Sequence, residues 1–244
     1  MEKSDRVKAR ELFDEIHEFC VANADEEVVR KYARYFRDEY DGFGVSHEMV
    51  EEKVAELLGR DGVTMKLVLR TAPLLLKTGK FEETSFALHL LMGFSEQFTR
   101  ATFDELGRWF EIGITNWAHT DAFCALPIRN LLARGIIAYR NLGPWRKARN
   151  TYQRRAEPVA MVPLLKTTDD YKPFFTFIGP LMMDPERKVQ QGLGWFLREA
   201  WKRRKKETEA FLLRWKDDAG RVIFQYATEK MTPAQKKRFK RKKK

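Results

Sequence analysis

Apolar side chains recur along nearly the whole chain at intervals of three and four residues. Val7, Leu12, Phe13, Ile16 and Phe19 form one such stripe, and Val50, Val54, Leu57 and Leu58 form another. This is the signature of helices that bury one face. Turn and cap signals cut the pattern into segments: Asp41-Gly42 with Gly44 and then Ser46, Asp61-Gly62, Thr78-Gly79, Gly143-Pro144 and Asp184-Pro185. The breaks predict about a dozen helices of roughly 10 to 18 residues, and no alternating strand pattern competes with them. The expected fold is all-α. Short breaks between amphipathic helices favour antiparallel pairs, arranged as a bundle or an α-solenoid. Pair lengths near 40 residues suit a HEAT-like period, although no residue-level repeat is visible. With no Pro/Gly/Ser-rich linker, residues 1–235 read as a single domain and residues 236–244 as a basic, disordered tail.

Composition narrows the class. The chain has 244 residues, 43% of them hydrophobic, with 18 Phe, 6 Trp and 8 Met, enough for an extended core in a folded, soluble protein. The N-terminus is charged from the start and no long uncharged apolar run follows, so no membrane association and a cytoplasmic location are expected, at the nucleoid if the source is bacterial. Cys20 and Cys124 are too few for a disulfide framework and read as buried thiols.

The charge is uneven. Residues 1–56 hold 16 acidic and 9 basic side chains, a net of −7, so the rest must carry +18 to give the chain's net +11. Eight positive charges lie in the last ten residues, and Lys202, Arg203, Arg204, Lys205 and Lys206 form a second run. Such asymmetry points to a polyanion, while a solubilising basic end would look the same.

Chemical motifs are scarce. No phosphate-binding loop, dinucleotide fingerprint, nucleophile elbow or zinc-protease motif is present, and His17, His47, His89 and His119 are spaced for no metal site. No metal and no cofactor are expected. Carboxylates, aromatics and arginines remain. In Ile114–Cys124, a helix would put Trp117 and Asp121 on one face, where a ring beside a carboxylate suits a cation; a core tryptophan and a solvated acid fit the spacing equally. Trp145–Ala156 interleaves five basic residues with two aromatics, as nucleic-acid surfaces do, or as an ordinary cationic helix face does. Gly192 and Gly194 precede Trp195 inside a helical stretch at a cost of about 1 kcal/mol each, which close helix packing or close ligand approach would explain.

These segments, NWAHTDAFC, W-x4-N-x-Y-x-RRA and QQGLGWFLREAW, resemble in order and separation those of the AlkD-type DNA alkylation repair glycosylases. A fourth match is Ala33–Arg37 followed by Phe43-Gly44-Val45, and the resemblance runs from about residue 28 to 235. It implies a HEAT-like α-solenoid with a concave DNA-binding surface. It also implies that Asp121 is the catalytic carboxylate, that Trp117 and Trp195 flank the lesion's sugar, and that Arg155 grips backbone phosphate. Tyr35 is similar to a tyrosine of the same surface, and Arg154, Tyr152 and Arg198 in the matching segments join as DNA contacts. Two positions depart from the pattern: Ala118 stands where an acid is frequent, and Tyr152 where tryptophan is usual.

The activity implied is hydrolysis of the N-glycosidic bond of N3- or N7-alkylated purines in double-stranded DNA. It leaves an abasic site and uses water in place of a lysine nucleophile. Base flipping stays open, since the resemblance points to a lesion that remains stacked. A non-catalytic HEAT-like nucleic-acid-binding module and a peptide-binding scaffold are the alternatives; the basic balance weighs against the scaffold, and a carboxylate in a phosphate-binding groove weighs against the simple binder. A monomer is expected.

Overall fold

The computed structural model describes residues 2–36 and 40–241, and the side chains of all of these except Glu2 and Lys3. Among them there is no strand, and fourteen α-helices are joined by 3-10 and π turns. The chain forms two compact units, residues 1–136 and 137–244. Their boundary falls in a stretch without linker composition, so the reading of one domain over 1–235 had no local cue for it.

The first unit holds α1 (Glu2–Ala22), α2 (Glu26–Ala33), α3 (His47–Leu58), α4 (Met65–Lys77), α5 (Phe81–Met92), α6 (Arg100–Ile112), α7 (Trp117–Phe123) and α8 (Arg129–Ala133). Side chains satisfy the orphan N–H groups at their starts: Asp25 accepts from Glu27 and Val28, Ser46 from Met49, Thr64 from Leu67, and Asn116 from His119. Helix α5 packs on α4 and α3, and α1 packs on α4, around fully buried Ile16, Leu57, Leu75, Leu76 and Phe86. Gly44 allows the chain to return beside α2. Its φ is +85°, and a Cβ there would meet the Asp25 carbonyl at 2.1 Å.

The second unit holds α9 (Thr151–Ala160), α10 (Lys172–Ile178), α11 (Arg187–Arg203), α12 (Lys205–Trp215), α13 (Arg221–Ala227) and α14 (Pro233–Lys237). Here α11 is the central helix, packed on α9, α12 and α13. The two glycines are explained by helix packing: a Cβ on Gly194 would lie 2.6 Å from Tyr226 Cβ and 2.8 Å from the Ile223 carbonyl, and one on Gly192 would lie 2.9 Å from Arg155 Cγ.

Helices close together in the chain pack on one another, α4 on α5 and α6, α3 on α5, and α11 on α9, α12 and α13, in the manner of an α-solenoid. Several helices are shorter than expected. Proline accounts for much of this: Pro127 lies in the π turn Cys124–Ile128 that separates α7 from α8, and Pro144, Pro163 and Pro180 sit in 3-10 turns. Trp145–Ala156 is therefore a 3-10 turn and the start of α9, not one helix.

The described part of the basic run, residues 236–241, packs on the rest of the second unit. Phe239 is 1% exposed and packs near Phe224, and the Phe239 carbonyl accepts a hydrogen bond from Arg221 Nη2 at 3.1 Å. The one apolar residue of the basic run anchors it through Arg241; residues 242–244 lie outside the described chain.

Candidate active site

Helix α7 begins at Trp117 and places Asp121 one turn later. Both side chains are partly exposed. The helix is clamped from below by His119. Asn116 Oδ1 accepts from the His119 N–H at 2.8 Å, and Asn116 Nδ2 donates to His119 Nδ1 at 2.7 Å. Across the ring, His119 Nε2 donates to the Phe81 carbonyl at 3.0 Å. A carbonyl only accepts, so the proton must sit on Nε2 and Nδ1 must be the acceptor. Burial pushes the imidazole pKa down to about 4, against a smaller opposing effect of the Phe81 carbonyl. His119 is thus neutral and in one tautomer, and it ties α7 to the start of α5.

Aromatic rings surround Trp117. Phe36 stacks on it at 5.3 Å and 19°, and Phe36 in turn packs on Tyr40 and Phe81. Phe81 stacks on His119 at 4.3 Å. Buried Glu82 fixes the approach of this segment: its carboxylate accepts from the Phe43 and Gly44 N–H groups at 2.8 Å each and from Tyr40 Oη at 3.3 Å. Burial, then the Glu82 charge, pushes the Tyr40 hydroxyl pKa up. Tyr35 is 66% exposed just beyond α2. Phe36 and Tyr40 are the ring neighbours that the sequence did not single out. Phe36 lay inside the matched motif, but nothing in its spacing marked it as the residue that meets Trp117.

The second unit carries the remaining expected residues. Asn150 caps α9, accepting from the Tyr152 and Gln153 N–H groups. Tyr152 is partly exposed. Arg154 is committed internally, with Nε donating to Asp184 at 2.8 Å and Nη1 to the Ala148 and Arg149 carbonyls. Arg155 is 6% exposed and Nη1 donates to the Lys188 carbonyl at the start of α11. Trp195, on α11, is partly exposed. Arg198, one turn on, pairs with Glu199 and Glu229. The expected residues thus form two sets, Trp117 with Asp121 on α7, and Tyr152, Arg154, Arg155, Trp195 and Arg198 on the packed pair α9 and α11.

Glu157, behind Arg155 on α9, is buried and pairs with Arg146 at 2.6 Å. Burial outweighs the lowering by Arg146 and raises its pKa to about 7. Both cysteines are buried free thiols. Among the described residues no three His, Cys, Asp or Glu side chains are grouped to hold a metal ion, and no helix is long and apolar enough to cross a membrane.

Residues 19–231 match the family described as DNA alkylation repair enzyme. Among solved structures, a predicted DNA alkylation repair enzyme from Enterococcus faecalis is similar with a TM-score of 0.71 at 13% identity, covering 86% of this chain and 98% of the other. At that identity the likeness is one of fold. No protein of curated function matches the chain by sequence.

Proposed function

Because the chain belongs to the DNA alkylation repair enzyme family, we propose that it is a monofunctional DNA glycosylase that removes N3- and N7-alkylated purines from duplex DNA. The observation that carries the reading is the pairing of Trp117 and Asp121 on one rigidly held turn. An alkylated purine is cationic, so it leaves readily and needs little acid catalysis. The demand on the protein is to stabilise the oxocarbenium-like sugar and admit water. Asp121 supplies the negative charge and the face of Trp117, on the same helix, attracts the same cation, at about 0.5 to 2 kcal/mol per contact; Trp195 on α11 is a second aromatic face that the family resemblance implies for the lesion's sugar. The family resemblance makes Arg155 the phosphate-gripping arginine, a role in which its side chain, 6% exposed and bonded to the Lys188 carbonyl, must swing outward on binding; Tyr152 and Tyr35 are further DNA contacts. Arg154 and Arg198, already engaged by Asp184 and by Glu199 and Glu229, act in this reading to position α9 and α11.

The test is base release from duplex DNA carrying 3-methyladenine or 7-methylguanine. Free methylpurine and a strand that breaks only on alkali treatment are the expected products. Tight binding of the same duplex without release above the spontaneous rate would favour the non-catalytic binding module instead.

A further inference from the structure

Two basic runs about thirty residues apart in sequence are brought together on one side of the second unit. The first, residues 202–206, spans the end of α11 and the start of α12, and Lys202, Arg203, Lys205 and Lys206 are exposed. The second is the ordered C-terminal segment, where Lys236, Lys237 and Lys240 are exposed. Glu209 joins them. Its Oε1 accepts from Trp201 Nε1 at 3.0 Å and its Oε2 from Arg238 Nη1 at 2.5 Å. Lys205 lies over the Trp201 ring at 5.1 Å. The segment is further held by buried Phe239 and by Arg241, which donates to the Ala219 carbonyl at 2.9 Å.

This placement has an energetic consequence. Like charges gathered on a surface repel, and each lysine loses side-chain freedom when held near another. Here the protein anchors a basic run against a basic helix end, using Phe239 and the Glu209 carboxylate, while Glu199 pairs with Lys202 and Asp169 with Arg204, leaving Arg203, Lys205 and Lys206 in excess. A merely solubilising tail gains nothing from such anchoring. Along α11, Trp195, Arg198 and Lys202 stand at i, i+3 and i+7 and so share one face, about 10 Å from end to end. The helix face that bears Trp195 thus leads towards the basic runs, with Arg198 paired to Glu199 and Glu229 and Lys202 to Glu199 along it.

We propose that residues 202–206 and 236–241 form one electrostatic surface that binds the phosphate backbone of duplex DNA flanking the lesion. The inference rests on the reading of the protein as acting on duplex DNA, and it adds a surface that tracks the duplex without reading sequence. A duplex presents one negative charge per about 1.7 Å of axis, which rewards a row of clustered lysines over scattered ones.

The test uses unmodified duplex, so that it reports on this surface whether or not the protein excises bases. Binding is measured against salt for the whole chain, for Lys202, Arg203, Lys205 and Lys206→Gln together, and for Lys237 and Lys240→Gln. A control replaces Arg6, Lys8, Lys66 and Lys77 with Gln, an equal change of charge at exposed positions of the first unit. Each variant is checked for an unchanged melting temperature. The fourfold surface variant should bind on the order of ten- to a hundred-fold more weakly at low salt and lower the slope of log K against log salt by about 2 to 4, the double variant by about 1 to 2. The control should change the slope by less than either. An unchanged slope in both surface variants, an equal loss in the control, or a loss seen with duplex RNA or anionic vesicles but not with DNA would overturn the proposal.

Discussion

His119 works as a clamp by remaining uncharged. Its pKa is held near 4 by burial, against about 6.5 for an exposed imidazole. A folded-state value below the unfolded one means that the unfolded chain binds the proton first. The stability this gives is fully present above about pH 6.5 and is lost as the pH falls towards 4, at most about 3 kcal/mol. Glu157 has the opposite sign. Its folded value, about 7, lies above the usual carboxylate range, so its contribution is present below about pH 4.5 and is lost as the pH rises through 7. Denaturant titrations across pH should show His119→Gln flattening the acid limb and Glu157→Gln flattening the limb between pH 5 and 8. An acid limb as steep in His119→Gln as in the unmodified protein would contradict the assignment. Little of this was legible in the sequence, because the Phe81 carbonyl that fixes the tautomer lies 38 positions from His119.

At the scale of elements, α11 shows what a glycine in a helix is for. Both packing and ligand approach were open explanations for Gly192 and Gly194, and the structure answers with neighbouring helices. The two sites differ in what stands in the way. Gly194→Ala would press a methyl group against the Ile223 carbonyl and Tyr226 Cβ, backbone-fixed atoms that yield little, and should cost about 1 to 3 kcal/mol. Gly192→Ala meets Arg155 Cγ at 2.9 Å and Val159 Cγ2 at 3.1 Å, with the nearest backbone atom, the Arg155 carbonyl oxygen, at 3.3 Å, a milder overlap. Thermal melts should show the larger loss in Gly194→Ala, while Gly192→Ala should weaken duplex binding through a displaced Arg155. A lower melting temperature for Gly192→Ala than for Gly194→Ala would reverse the ranking. The helix stripe and the i, i+4 pairing of Trp117 with Asp121 could be read in advance because they are local. The stacking of Phe36 on Trp117 and the capture of Arg154 by Asp184 depend on how distant segments meet, and no spacing encodes them.

For the whole molecule, the all-helical class followed from periodicity alone, since buried faces recur at helical spacing almost throughout. The division into two units and the order of the C-terminal segment did not, because composition changes at neither place in a way that marks it. Phe239 shows the difficulty: one apolar residue among eight cations looks like noise until its pocket is known. Phe239→Ala should release residues 233–241, seen as lost amide protection there with the core of α11 unaffected; retained protection would place the anchor elsewhere.

Asp121 carries the catalytic charge in the proposed glycosylase. Asp121→Asn keeps the size of the side chain and removes its charge, so duplex binding should persist while single-turnover excision falls by roughly 10² to 10³. The measurement is release of 3-methyladenine and of 7-methylguanine by saturating enzyme, each corrected for its spontaneous loss, because the easier leaving group masks part of the effect. A steep fall with binding intact is the predicted result, and excision of both lesions at the unmodified rate would contradict the assignment of Asp121 as the catalytic carboxylate.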